Sequence, residues 1–232
     1  MSDTAAPTPD LSPEACAAYQ ALCSFCSWVL YDDPEPDALR GLATERMLFC
    51  EPPFSQVAPD DAAAFGGLLA ALAPDAGEGG PAAAQTLLDE VRRDRSYLFY
   101  MVGASHASPY ESVYRTDDHT MMGPATLEVR AAYRAHGLVF ERAASEPDDH
   151  VGLEFSFAAH LLGRAAEGET SCLADCRDFL GEHLLTFAPA YLDVLEQRAR
   201  SPYYRLVARI ARATLTSLAD ALGAHVYENL PN

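Results

Sequence analysis

Lysine is absent from this 232-residue chain, in which every one of the 16 basic residues is Arg. A P-loop sets a Lys on phosphate, a pyridoxal enzyme forms its Schiff base through Lys, and a protein kinase needs a strand Lys. Those three classes are excluded. Positive charge is scarce as well, since 34 acidic residues bring the formal charge to −18. That balance speaks against a surface that wraps nucleic-acid phosphates and for basic partners. The chain also lacks a basic start followed by an apolar stretch and a small-residue cleavage site, and no apolar run reaches the roughly 20 residues of a membrane helix. The expectation is a cytoplasmic protein without stable membrane insertion. Cysteine is sparse, with six residues at 16, 23, 26, 50, 172 and 176, too few for a disulfide-stapled secreted module. Reduced thiols are expected.

No segment alternates apolar and polar residues with period two, whereas helical spacing recurs throughout. Ser12 and Pro13 form an N-cap and first turn, followed by Tyr19, Leu22, Cys23, Cys26, Val29 and Leu30 on one face. Further helices are expected at about 37–50, 60–73, 81–100, 124–137, 147–166, 171–185, 189–199 and 203–222, with Gly137, Gly168 and Gly223 at or just past helix ends. The fold class is therefore all-α, a single compact domain of about eight to ten helices over 11–232 behind a disordered tail at 1–10. Residues 103–124 carry Gly, Ser, Pro and Asp without periodicity and read as a long structured loop, a kind of segment that often carries function. A subdivision at the Gly-rich stretch 73–81 or within 103–124 stays open.

The densest polar cluster is Glu146-Pro147-Asp148-Asp149-His150 with Glu154 one turn on. At a helix start these carboxylates read as a capping box that satisfies free backbone N–H groups. The functional alternative is a face that grips a cation or a cationic peptide, or does acid–base work. Neighbouring negative charge leads us to expect a raised proton affinity at His150. One His with flexible carboxylates and no HExxH pattern is a poor zinc set, so no metal is assigned. Cys23 and Cys26 form a CxxC, and Cys172 and Cys176 are spaced i,i+4. Both pairs lie in helical stretches and read as packing residues, with a cysteine-based metal or thiol-redox protein as the alternative. No GxSxG elbow accompanies Ser105 or Ser108, and His183 reads as a half-buried packing residue. No enzyme activity is assigned.

Three stretches together resemble the TorD/DmsD family of redox-enzyme maturation chaperones. They are Ser108-Pro-Tyr-Glu-Ser-Val-Tyr114 with Met122-Gly123 and the helix to Gly137-Leu138; Glu146-Pro-Asp-Asp-His150 with Glu154; and Phe179-Leu180, His183-Leu184, Leu192 and Ser201-Pro-Tyr-Tyr-Arg205. Leu98-Phe99 resembles the family's Leu-Phe upstream of the loop, and the resemblance covers about 98–220. It implies a cofactor-free, all-helical chaperone that binds the twin-arginine leader or the apoprotein of a molybdenum oxidoreductase of the dimethyl-sulfoxide-reductase type until cofactor insertion, before export. Implied partners are that leader and the apo catalytic subunit, with the chain as a monomer or a domain-swapped dimer. The peptide-binding residues expected from motif and chemistry are Leu98, Phe99, Pro109, Tyr110, Ser112, Tyr114, Glu146, Pro147, Asp148, Asp149, His150 and Glu154. In that reading Asp148 and Asp149 receive leader Arg groups, and Leu98, Phe99, Tyr110 and Tyr114 line the apolar part.

Overall fold

Proline marks helix starts in this chain. The computed structural model describes residues 9–73, 80–100, 107–116, 121–139 and 147–226. Its helices are α1 (Pro13–Tyr31), α2 (Pro36–Thr44), α3 (Phe54–Val57), α4 (Pro59–Leu69), α5 (Gly80–Phe99), α6 (Glu111–Arg115), α7 (Pro124–Ala135), α8 (Val151–Ala166), α9 (Ser171–Phe179), α10 (Leu185–Arg198) and α11 (Pro202–Leu222). Pro occupies the first turn of α1, α2, α4, α7 and α11, where its missing N–H would lack an intrahelical partner anyway. Ser12 caps α1 by accepting from the Ala15 N–H, and Gly223 ends α11 at φ +66°. Gly137 and Gly168 are left-handed too. No strand occurs among the described residues, and the protein is all-α. Residues 1–8 of the expected tail, most of the Gly-rich stretch, two parts of the long loop and Glu146 lie outside the described residues.

Two element boundaries differ from the sequence expectation. The helix expected at 37–50 stops at Thr44 and continues as a 3₁₀ turn over Arg46–Cys50. Its Phe49 is thereby buried against Phe25, Phe54 and Phe65, with ring centroids 4.9–5.3 Å away. The expected gap between 185 and 189 is closed. A π turn at Leu180–Leu184 joins α9 directly to α10, and the Leu185 N–H reaches back to the Leu180 carbonyl. Pro189 then sits inside α10. The sequence expectation broke the helix at a proline, whereas here the widened turn shifts the hydrogen-bond register just ahead of it.

Helices α1 and α8 lie antiparallel and close together. A Cβ on Gly152 would come within 2.7 Å of Tyr31 Cβ and 3.1 Å of the Ser27 carbonyl, and one on Gly163 would come within 2.7 Å of the Gln20 amide. Gly152, which faces a Cβ and backbone atoms, sets this close approach, whereas the Gln20 side chain beside Gly163 can move aside. Around that helix pair the core is continuous from Cys23, Phe65 and Val91 to Phe155, Leu192 and Leu215. Among the described residues no helix is long and apolar enough to cross a membrane.

Candidate functional site

Two loop segments meet where α6 and α8 begin. The Glu111 N–H donates to the Asp149 carbonyl at 2.9 Å and the Val151 N–H to the Pro109 carbonyl at 2.8 Å, which makes an isolated antiparallel bridge between Tyr110 and His150. The loop after α5 is pinned by the Ala107 N–H on the Leu98 carbonyl. Sequence positions near 110 and 150 thus become neighbours.

The carboxylates of this junction point inward. Asp149 is fully buried and accepts from the Ser112 N–H and the Thr126 hydroxyl, both at 2.8 Å. Charge-assisted bonds of this kind stabilise by about 1.5–3 kcal/mol each. Asp148 accepts from Arg130 Nε, while its backbone carbonyl accepts from the Tyr133 hydroxyl at 3.2 Å. Glu111, also fully buried, accepts from Arg115 at 2.9 Å and lies 3.0 Å from His183 Nδ1. A carboxylate only accepts, so the ring proton of His183 sits on Nδ1. Arg115 also reaches Glu128 at 3.0 Å. His183 is buried inside the π turn and held by an ion, in contrast to the half-buried packing residue expected.

His150 and Glu154 behave differently from their neighbours. His150 is the N-cap of α8, and its Nδ1 accepts from the Gly152 N–H at 3.0 Å. The edges of Tyr31 and Tyr110 enclose the ring at centroid distances of 5.0 and 5.3 Å. Burial, then the Arg95 charge, push its pKa down to about 3. The expected rise is reversed because enclosure outweighs the nearby carboxylates, whose charge is already engaged elsewhere. Glu154 is fully buried and neither carboxyl oxygen has a hydrogen-bond partner among the described residues. Burial, then the charges of Glu111 and Asp149, raise its pKa well above the carboxylate range, so it is held as the neutral acid. The capping-box expectation therefore fails in detail, since the imidazole caps the helix and Glu154 does not.

The remaining expected residues divide by exposure. Leu98, Pro109, Ser112 and Pro147 are buried, whereas Phe99, Tyr110 and Tyr114 are half-buried. Phe99 packs edge-on to Tyr204 and under the Arg95 guanidinium, and Tyr114 tilts against Phe187. The structure brings Pro109, Tyr110, Ser112, Asp148, Asp149 and His150 together directly; Glu154 follows one turn into α8. Leu98 and Phe99 belong to the end of α5 and join the junction through the backbone of Ala107. Glu111, Thr126, Arg130, Tyr133 and His183 were missed. All five stood inside the stretches that carried the resemblance, and spacing did not single out Thr126, Arg130 and Tyr133 because their partners lie 15–23 residues away. On the surface beside α6, Met121, Met122 and Leu127 are exposed by 57–66%, and Met122 is held at φ +65°.

The thiols were paired by sequence as Cys23 with Cys26 and Cys172 with Cys176. Cys16, Cys23, Cys26, Cys172 and Cys176 are buried and Cys50 is exposed. Burial raises Cys26 to about 12 and raises Cys23 and Cys176 as well, so these are inert core thiols. The sequence tetrad is not gathered to ligand distance. Among the described residues one trio is, made of His136, Cys172 and Asp175.

Fold and junction define an all-helical protein whose polar centre is sealed and internally paired. The model of the family described as nitrate reductase delta subunit matches residues 55–193. The chain is 34% identical over 129 residues to the Chaperone protein TorD of Vibrio cholerae serotype O1 strain El Tor Inaba N16961, covering 53% of this chain and 58% of that one. It is 32% identical over 118 residues to the Tat proofreading chaperone DmsD of Salmonella typhi, covering 51% and 55%. The Probable Tat proofreading chaperone DmsD of Haemophilus influenzae is 30% identical over 129 residues, covering 56% and 60%. The chain belongs to the nitrate reductase delta subunit family, and the resemblance to TorD and DmsD read from its motifs is borne out. The matched stretch spans a little over half the length of these relatives.

Proposed function

We propose that this protein is a cytoplasmic maturation chaperone, a binding protein and not an enzyme. It holds the twin-arginine leader, the apoprotein, or both, of a molybdenum oxidoreductase of the dimethyl-sulfoxide-reductase type until cofactor insertion is complete. The observation that carries the reading is the family match over 55–193, with relatives that bear the names of Tat proofreading and TorD chaperones. Physical chemistry supports it from two sides. A net charge of −18 attracts a segment with two guanidinium groups. The exposed Met121, Met122 and Leu127 give an adaptable apolar strip beside α6 for the leader's apolar half.

In this reading the site residues take distinct roles. Asp148, Asp149 and Glu154 position the loops, because their oxygens are sealed or already engaged. Direct contact falls to the half-buried Tyr110, Tyr114 and Phe99 and to the exposed strip. Calorimetric titration with a synthetic twin-arginine leader tests this. Binding that weakens with added salt, and weakens again in Met122→Ser and Leu127→Ser, is expected. Failure to bind both that leader and the cofactor-free enzyme overturns the reading.

A further inference from the structure

His136, Cys172 and Asp175 each offer one donor atom, and these atoms lie within 4.8 Å of one another. We infer that they form a binding site for a thiophilic divalent metal ion, of which zinc is the best fit. The inference is independent of the chaperone reading and uses none of the residues of the buried junction.

The local structure holds all three donors in place. His136 is the C-cap of α7, and the chain turns away immediately after it through Gly137 at φ +74°. Its ring stands edge-on to Phe157 at 5.4 Å, which fixes the imidazole plane. Cys172 and Asp175 are spaced i,i+3 near the start of α9 and so share one helix face. His136 Nε2 lies 3.6 Å from Asp175 Oδ2. Zinc bonds of about 2.0–2.3 Å arranged as a tetrahedron have edges of roughly 3.3–3.7 Å, so the imidazole–carboxylate edge is already formed, and the sulfur lies within 4.8 Å of both other donors.

An ion pair between His136 and Asp175 is the plain alternative, and the thiol takes no part in it. Three observations go beyond it. The Cys172 sulfur is placed 3.9 Å from the Glu169 carboxylate, which Arg164 grips at 2.6 Å, so the proton on that sulfur already faces an acceptor. A second imidazole, His160, stacks on the same Phe157, and its buried Nε2 has no hydrogen-bond partner among the described residues. The site is also open, since the Asp175 side chain is 48% exposed and that of His136 20%, which gives an ion an entry path and a water the fourth corner.

The donor set selects the ion. Thiolate with imidazole disfavours magnesium and calcium, which take oxygen ligands, and one carboxylate with two borderline-soft donors suits zinc or cobalt. On binding, the Cys172 S–H bond breaks, its proton leaves to solvent, and the sulfur lone pair forms the bond to the metal. The ligands bracket the segment from His136 to Cys172, which contains Asp148, Asp149, His150 and all of α8. The ion thereby staples the end of α7 to α9 across the helix that carries the junction.

Titration of the reduced full-length protein with cobalt(II) alone, followed by zinc(II) competition, tests the site. Expected is one equivalent per chain with a thiolate-to-cobalt charge-transfer band and the visible bands of a tetrahedral ion, displaced by zinc. The band should vanish in Cys172→Ser, and affinity should fall about tenfold or more in His136→Gln and Asp175→Asn, which alter partly exposed side chains. Cys50→Ser, which removes the exposed thiol, and the paired Cys23→Ala and Cys26→Ala should leave the band unchanged. Absence of a charge-transfer band, a band that follows Cys50, or wild-type affinity in both His136→Gln and Asp175→Asn overturns the inference.

Discussion

His150 makes stability depend on acid in a direction that the sequence alone misses. Its ring is enclosed by Tyr31 and Tyr110 while Nδ1 accepts the Gly152 N–H, so only the neutral ring with its proton on Nε2 satisfies the helix cap. The folded pKa is about 3 against an ordinary 6.5. A His depressed in the folded state contributes stability that is present above its unfolded pKa and is lost as pH falls toward the folded value, because the unfolded chain takes up the proton first. At about 1.36 kcal/mol per unit, the loss from this one group is about 2 kcal/mol between pH 7 and pH 5, and about 4 kcal/mol by pH 3. Urea unfolding of wild type and His150→Asn at pH 7, 6 and 5 measures it. Asn accepts the Gly152 N–H as an N-cap and does not titrate. The variant starts below wild type, for lack of ring packing, and the gap narrows by about 2 kcal/mol as pH falls from 7 to 5. Parallel stability curves for the two proteins would refute the enclosed neutral imidazole.

Glu154 works in the opposite sense. Its folded pKa is raised, so its contribution is complete below the ordinary carboxylate pKa and is lost as pH rises through the folded value. Glu154→Gln keeps a neutral group of the same shape, and its stability relative to wild type should increase from pH 5 to pH 8 in urea unfolding; a constant difference counts against the neutral acid. Asp149→Ala orphans the Ser112 N–H and the Thr126 hydroxyl and should cost roughly 3 kcal/mol or more in the same assay, whereas a cost under about 1 kcal/mol would show that the junction tolerates loss of its central acceptor. Gly152→Ala drives a methyl to within 2.7 Å of Tyr31 Cβ and should destabilise by about 1–3 kcal/mol, visible as a lowered melting temperature. Cys23→Ala together with Cys26→Ala removes buried volume and should lower stability while leader binding measured by calorimetry stays unchanged.

Helix starts were the most legible feature of the sequence, because the chemistry that sets them is local. Ser12 with Pro13, Pro124, and Ser201 with Pro202 each act within one turn, and the structure starts α1, α7 and α11 there. The joined helix at 171–198 escaped because the widening at Leu180–Leu184 follows from packing. One of its residues, His183, answers to Glu111, 72 positions earlier. The 3₁₀ turn at Arg46–Cys50 has a similar origin, since it is Phe49 meeting Phe25 and Phe65 that bends the chain.

The polar centre divides along the same line. Sequence spacing marked Glu146–His150 with Glu154 as the densest polar cluster, yet spacing carries no information on which way a carboxylate faces. That direction is set by partners on other elements. Thr126 on α7 and the Ser112 N–H on α6 turn Asp149 inward, Arg130 takes Asp148, and no described group reaches Glu154. Four carboxylates, Glu111, Asp148, Asp149 and Glu154, crowd around the buried Tyr133, whose own pKa they help burial to raise. Such a group stays folded only if some of the charge is cancelled. Arg115 and Arg130 cancel part of it, and protonation of Glu154 removes more. An arrangement this interdependent fixes the positions of α6, α7, α8 and the π turn relative to one another. It explains why the same acidic motif that looks like a ready-made receptor for arginine acts first as the joint that holds the surrounding surface, Tyr110, Tyr114 and the exposed methionines included, in one fixed shape.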